Sequence, residues 1–163
     1  MNYAKITKQD MLNGDGIRVT LWISGCSVGC INCQNPETWD KNFGMLWTEK
    51  SEEELFESLN HDYISGITFS GGHPLESYNI ETITNISKKI KEQFSEKTQW
   101  LYTGYYWNDI KDLEIMKYLD VIVDGPYIEE LRDVSLKWRG SSNQRCIDVK
   151  KTLETGQIVL WCD

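Results

Sequence analysis

Apolar and polar positions alternate with a short period early in the chain and with longer periods further on. Over Ile17–Ile23 the side chains of Val19, Leu21 and Ile23 share one face of an extended chain, which predicts a strand. Ser51 with Glu54 three positions later reads as a capping box and predicts the start of a helix. Residues 66–69 are a short apolar run of the buried-strand type. Ile80, Ile83, Ile86, Ile90 and Phe94 recur at three- and four-residue spacing, the mark of an amphipathic helix. The series continues with a strand over 99–102, a helix lined by Ile110, Leu113 and Met116, a strand over 119–123 and a last strand over 157–161.

Strands separated by helices in this rhythm imply right-handed βαβ units, a mainly parallel sheet and an α/β fold. No repeat, low-complexity stretch or linker interrupts the series, so 1–163 is expected to be one domain. Folds of this class build their sites at the carboxyl ends of the strands. The four strand exits are Ser24-Gly25-Cys26, Ser70-Gly71-Gly72-His73-Pro74, Thr103-Gly104-Tyr105 and Asp124-Gly125-Pro126. Each sets glycine beside a polar residue. One such exit is an ordinary turn; four in succession point to a shared site.

The first exit carries the most specific chemistry. Cys26, Cys30 and Cys33 form a C-x3-C-x2-C spacing directly after the first strand. Three thiolates on one loop can each hold one iron of a 4Fe–4S cubane, and since full ligation takes four cysteines, one iron stays open to a ligand. The alternative on spacing is a closed structural zinc site, with a fourth ligand from His61, His73, Cys146 or Cys162.

The other motifs are weaker. Gly71-Gly72 lets backbone approach a ligand closely, or simply makes a turn. Thr103 and Asp124 offer hydrogen bonds to a polar ligand, or caps to the following helix. His73 is a candidate proton carrier, although an isolated loop histidine is normally solvated. Gly14-x-Gly16 precedes its strand and so does not match a dinucleotide fingerprint. The polar run from Trp138 to Arg145 reads either as a solvated loop or as a substrate-contact loop.

Charge and composition narrow the classes further. The net charge of −8 and the scattered basic residues provide no electrostatic footprint for nucleic acid. The polar N-terminus resembles no signal peptide and no apolar run approaches a membrane span, so neither a membrane nor export is expected. Five cysteines without framework spacing fit a reducing cytosol and a cytoplasmic protein, with Cys146 and Cys162 as plain thiols. Nucleophile elbow, H-E-x-x-H and P-loop motifs are absent, which leaves hydrolase readings without support.

Taken together, Cys26-x3-Cys30-x2-Cys33 and Gly71-Gly72-His73-Pro74 resemble the pattern of radical S-adenosylmethionine (SAM) enzymes. Within them the chain is similar to the small activases of anaerobic ribonucleoside-triphosphate reductase. The similarity is carried by Asn13-Gly14 through Arg18, Asn35-Pro36-Glu37-Thr38-Trp39, Thr103-Gly104-Tyr105, Val123-Asp124-Gly125 and Trp138 to Gln144. Three positions depart from the usual pattern: Gln34 stands where an aromatic residue is common, His73 where an acidic one is, and Asp15 where proline is.

This resemblance implies a partial, open (βα) barrel of the radical SAM type. It implies iron ligation by Cys26, Cys30 and Cys33, and SAM contacts from Asn32, Cys33, Gln34, Gly71 and Gly72, with Thr103 and Asp124 as neighbours. The activity implied is reductive cleavage of SAM to a 5′-deoxyadenosyl radical, which generates a glycyl radical on the large subunit of the reductase. Reduced flavodoxin or ferredoxin is the implied electron donor. Rival readings are an activase of another glycyl-radical enzyme such as a formate-lyase, a radical SAM enzyme acting on a small molecule, and a non-enzymatic metal module.

Overall fold

The parallel strands expected from the hydrophobic pattern form the centre of one larger sheet. The computed structural model describes residues 1–162. Its strands are β1 (Asn2–Asp10), β2 (Ile17–Ile23), β3 (Met45–Leu46), β4 (Ile64–Gly71), β5 (Thr98–Tyr102), β6 (Val121–Asp124), β7 (Arg145–Asp148) and β8 (Leu160–Cys162). The α-helices are α1 (Glu49–Leu59), α2 (Ile80–Gln93), α3 (Trp107–Ile110) and α4 (Val149–Thr155). The strand order is β3-β1-β2-β4-β5-β6-β7-β8, a mixed α/β sheet whose end strands do not pair with each other.

Only the three central pairings, β2 to β4, β4 to β5 and β5 to β6, are parallel. Both margins are antiparallel, which corrects the expectation of a mainly parallel sheet. The polar N-terminal segment, which the sequence left without an element, supplies β1 and pairs with β2.

The sheet is buried on both faces. On one, Val19, Leu21, Ile23, Ile67, Phe69 and Leu101 pack with Leu55 and Leu59 of α1 and with Ile83, Ile86 and Ile90 of α2. Each such side chain contributes about 1.5–3 kcal/mol when fully buried. On the other face Trp100, Val121, Val123 and Cys146 form a second core with Tyr102, Trp138 and Cys162. The sheet curls around this second core. Trp161 on end strand β8 donates to Asp15 Oδ2 at 2.7 Å, in the turn between β1 and β2, and its ring lies 6.0 Å from that of Trp100.

Arg18 closes the end of the curl near the strand starts. It is fully buried and donates to Thr68 Oγ1 (2.8 Å), Thr98 Oγ1 (2.9 Å) and the carbonyls of Asp15, Ile67 and Thr98. Burial lowers its pKa to about 10, and its guanidinium lies 5.3 Å from the centre of the Trp100 ring. The carbonyl and hydroxyl acceptors supply what a buried cation otherwise draws from a carboxylate.

Three element boundaries differ from the sequence reading. Helix α1 begins at Glu49 because Thr48 is its N-cap and Ser51 returns the reciprocal bond, so Ser51 closes the capping box instead of opening it. Residues 107–117 are α3 and a short 3-10 turn, not one helix, because Leu113 between them is extended (ψ 142°). The last strand is Leu160–Cys162 and runs antiparallel to β7. No helix among the described residues is long and apolar enough to cross a membrane.

Candidate metal and cofactor site

Four loops leave the carboxyl ends of the parallel strands, and they surround one cavity of about 500 Å³. Cys26, Cys30 and Cys33 line it, with Gln34, Gly71, Gly72, His73 and Thr103. Trp138, Arg139, Gly140 and Gln144 complete the far wall. Residues separated by over one hundred positions thus meet where the strand exits converge.

The cysteine loop is fixed at both ends by backbone. Gly25 N donates to Thr38 O (2.7 Å) and Cys26 N to Trp39 O (3.2 Å), so the short 3-10 turn Pro36–Trp39 braces the first cysteine. Within the loop Cys33 N donates to Cys30 O at 3.2 Å, and Asn32 adopts φ 56°. Asparagine is among the few residues that enter this left-handed region readily. Asn32 therefore turns the chain between two thiols; it is exposed and stands outside the cavity lining, while Gln34 is exposed and on it.

The sulfurs receive backbone donors. Asn35 N lies 3.4 Å from Cys33 Sγ. Burial pushes the Cys26 thiol up; the amides of Val28 and Gly29 pull it back, while Glu76 and Cys30 add to the rise. Amides aimed at sulfur suit a cluster ligand, whose thiolates need N–H donors.

No three His, Cys, Asp or Glu side chains among the described residues gather around a point as one metal ion requires. A cubane separates its ligand sulfurs by more than a single ion does, so three cysteines lining one cavity remain compatible with a cluster. Of the other proposed zinc ligands, His73 shares the cavity, while Cys146, Cys162 and His61 are elsewhere. Cys146 is buried and its strand partner is Cys162, with burial and that neighbour pushing the Cys146 thiol up. His61 stacks on Tyr63 with ring centres 5.3 Å apart, outside the cavity.

The two glycines after β4 bring backbone against backbone. Gly71 has φ 98°, and a Cβ there would lie 2.6 Å from Ile23 N. A Cβ on Gly72 would lie 2.6 Å from Gly25 O and 2.7 Å from Thr38 O. The close approach that glycine permits is thus first an approach to the base of the cysteine loop, and the same residues form cavity wall. Gly72 N donates to Ile23 O and His73 N to Gly25 O, both at 2.7 Å.

His73 is buried, not solvated. Its Nε2 is 2.7 Å from Thr103 Oγ1, its Nδ1 is 3.4 Å from Glu76 Oε1, and the Tyr105 ring meets it edge-on at 4.2 Å. Burial lowers its pKa against the pull of Glu76, favouring the neutral imidazole. Glu76, which sequence reasoning passed over, ties this loop to the cysteines by accepting from Ser27 N (2.7 Å) and Ser27 Oγ (2.6 Å). Burial would raise the Glu76 carboxyl, but the two Ser27 donors and His73 outweigh it and hold it low. Its only signal in the sequence was a position one helical turn beyond His73.

Asp124 is not available to a ligand. It is fully buried, accepts from Trp107 N at 2.9 Å and Arg145 Nε at 3.1 Å, and so serves the first amide of α3, which precedes it in the chain, and holds an ion pair. Thr103 does line the cavity, with its hydroxyl shared between His73 and Tyr105 N.

The run from Trp138 to Arg145 is a fastened wall, not a solvated loop. Gln144 Oε1 accepts from Gly140 N (3.0 Å) and Ser141 N (3.2 Å), while its Nε2 donates to Gly125 O (3.0 Å). Asn143 Nδ2 donates to Pro126 O at 2.8 Å. Gln144, bonded through both its donor and its acceptor, and Asn143, bonded through its donor, secure this segment to the exit of β6.

Residues 12–147 match the family model described as a 4Fe-4S single cluster domain. The chain is 46% identical over 145 residues to an anaerobic ribonucleoside-triphosphate reductase-activating protein of Enterobacteria phage T4, covering 89% of this chain and 92% of that one. Proteins of the same name from Haemophilus influenzae and Escherichia coli K12 are 36% and 37% identical over 148 residues, 88% of this chain and 96% of each relative.

Proposed function

The chain belongs to the family of anaerobic ribonucleoside-triphosphate reductase-activating proteins, and from that premise we propose that it activates such a reductase by radical SAM chemistry at a 4Fe–4S cluster. The observation that carries this reading is the convergence of Cys26, Cys30, Cys33, Gly71, Gly72 and the segment from Trp138 to Gln144 on one cavity. When bound, the reduced cluster supplies one electron that cleaves SAM to methionine and a 5′-deoxyadenosyl radical, which takes a hydrogen atom from a glycine of the reductase to leave a glycyl radical.

The protein's part is to bind, orient and shield. Cys26, Cys30 and Cys33 would hold the cluster, and with three protein ligands it would keep one iron open to SAM. Asn32 shapes the turn that sets Cys33 and Gln34 on the cavity, and Gly71 and Gly72 offer backbone to the amino-acid end of SAM. We read the unclosed sheet as the partial barrel of radical SAM enzymes, with its open side admitting the reductase segment. Reduced flavodoxin or ferredoxin provides the electron.

The test is anaerobic. Reconstituted protein, SAM, reductant and an anaerobic ribonucleoside-triphosphate reductase are mixed, and the paramagnetic resonance spectrum is recorded. A glycyl radical doublet on the reductase is expected. Formation of 5′-deoxyadenosine with no doublet on the reductase, but with one on a different glycyl-radical enzyme, would reassign the target.

A further inference from the structure

Arg139 is the feature of the cavity that the reading above leaves unused. The protein carries a net charge of −8, yet no aspartate, glutamate or lysine is among the described residues lining the cavity, and Arg139 is its one arginine. None of the ion pairs among the described residues includes it. Its Nε and Nη1 are closed off from water and have no acceptor. Buried donors without acceptors are costly, and more so on a charged group.

The backbone presenting this side chain is held without its help. Trp138, just before it, has φ 61°, a strained value for a bulky residue. Tyr102 Oη donates to Trp138 O at 2.8 Å, and Trp138 Nε1 donates to Asp15 Oδ1 at 3.1 Å. Gly140 and Ser141 on the other side are tied to Gln144. The second arginine of the run, Arg145, is committed to Asp124. Asp133, the acidic group nearest in sequence, feels the charge of Arg139 but forms no ion pair with it, accepting from Ser135 N (2.8 Å) and Ser135 Oγ (2.6 Å). A strained, fastened loop therefore presents one unpaired guanidinium to a cavity without carboxylates.

We propose that Arg139 is a ligand-binding residue that takes a carboxylate through its planar guanidinium edge, where two parallel N–H donors match two carboxylate oxygens. Two carboxylates reach this cavity if the function proposed above holds, and in that respect the inference rests on it. One is the amino-acid carboxylate of SAM. The other belongs to the reductase segment that enters the site.

The test uses the reconstituted full-length protein and its Arg139→Gln and Arg139→Lys variants, with anaerobic equilibrium binding as the readout. The ligands are SAM and 5′-methylthioadenosine, which keeps the nucleoside and lacks the carboxylate. If SAM is the source, Arg139→Gln weakens SAM about 10- to 150-fold, the loss of a charge-assisted bond, leaves methylthioadenosine unchanged, and Arg139→Lys recovers part of the loss. If the reductase is the source, SAM binding is unchanged but affinity for the reductase at saturating SAM falls by a similar factor, again partly recovered by lysine. Equal weakening of both nucleosides, or no change in either nucleoside or reductase binding, would overturn the inference. A parent protein that binds neither nucleoside refutes the SAM reading instead, and leaves the reductase arm to judge Arg139.

Discussion

Replacing Gly71 or Gly72 by alanine separates two costs that meet at the base of the cysteine loop. At Gly71 the backbone has φ 98°, and the new Cβ would lie 2.6 Å from Ile23 N and 2.7 Å from Ile23 O. A left-handed L-residue costs about 1–2 kcal/mol, and overpacking adds about 1–3 kcal/mol, so Gly71→Ala is expected to cost about 2–5 kcal/mol. Gly72 has no backbone penalty, but its Cβ would strike Gly25 O at 2.6 Å and Thr38 O at 2.7 Å. The clash alone costs about 1–3 kcal/mol. At about 2–4 °C per kcal/mol for a domain of about this size, the melting temperature falls by about 4–20 °C for Gly71→Ala and about 2–12 °C for Gly72→Ala. The functional order differs from the thermal one. Gly25 leads directly into Cys26, so Gly72→Ala should lose more iron per degree of melting shift than Gly71→Ala. Thermal denaturation followed by circular dichroism, with iron and sulfide analysis of the same reconstituted samples, measures both. A Gly72→Ala protein that melts with the parent and keeps its iron would refute the packing of this glycine against the cysteine loop.

Further outcomes follow from the same contacts. Cys26→Ala, Cys30→Ala and Cys33→Ala should each remove most reconstituted iron while the far-ultraviolet dichroism is kept, whereas Cys162→Ala should retain it; iron analysis decides. Arg145→Gln strands the fully buried Asp124 carboxylate and should cost about 3–5 kcal/mol. Asp124→Asn frees an Arg145 that is 38% exposed and already meets water, so only about 1–3 kcal/mol is expected; urea denaturation of both variants tests the inequality. Acidification should destabilise the cluster-free protein in two stages. His73 is held neutral, so below its ordinary pKa of 6.5 the unfolded chain binds a proton that the folded one resists, and stability falls. Glu76 is held below its ordinary 4.5, so its contribution is present above that pH and is lost as pH drops further. The urea midpoint as a function of pH should lose its first stage in His73→Gln; an unchanged profile would contradict the burial of His73.

The central strands and α2 were legible in the sequence because their apolar spacing had one solution. Ile83, Ile86 and Ile90 are all buried where the helical period put them. The margins of the sheet were not legible, since β1 is polar and only partly buried, and it takes its place by pairing with β2 rather than by pattern. Alternation in β2 also concealed a second interior. Arg18 and Thr20 lie opposite Val19 and Leu21, yet both are fully buried because the sheet curls over them. At the site, the cysteines, Gly71, Gly72 and Thr103 stood out because strand exits announce themselves by composition, and the fold gathers them on one cavity. Glu76 was missed because one carboxylate in an acidic chain carries no local signal. Asp124 was legible only as a ligand contact or a cap to the following helix, and the structure commits it instead to Arg145 and to the Trp107 amide of the preceding α3. Arg139 stood within a conspicuous run, but that its guanidinium lacks an acceptor is a fact of tertiary structure alone.

A three-cysteine cluster with one iron open to SAM is the centre of the proposed function. The measurement is the electron paramagnetic resonance spectrum of the anaerobically reconstituted, reduced protein before and after SAM is added. A reduced cubane signal that changes shape with SAM is expected. A cubane signal indifferent to SAM, or a protein that binds zinc tightly and assembles no cluster, would contradict it.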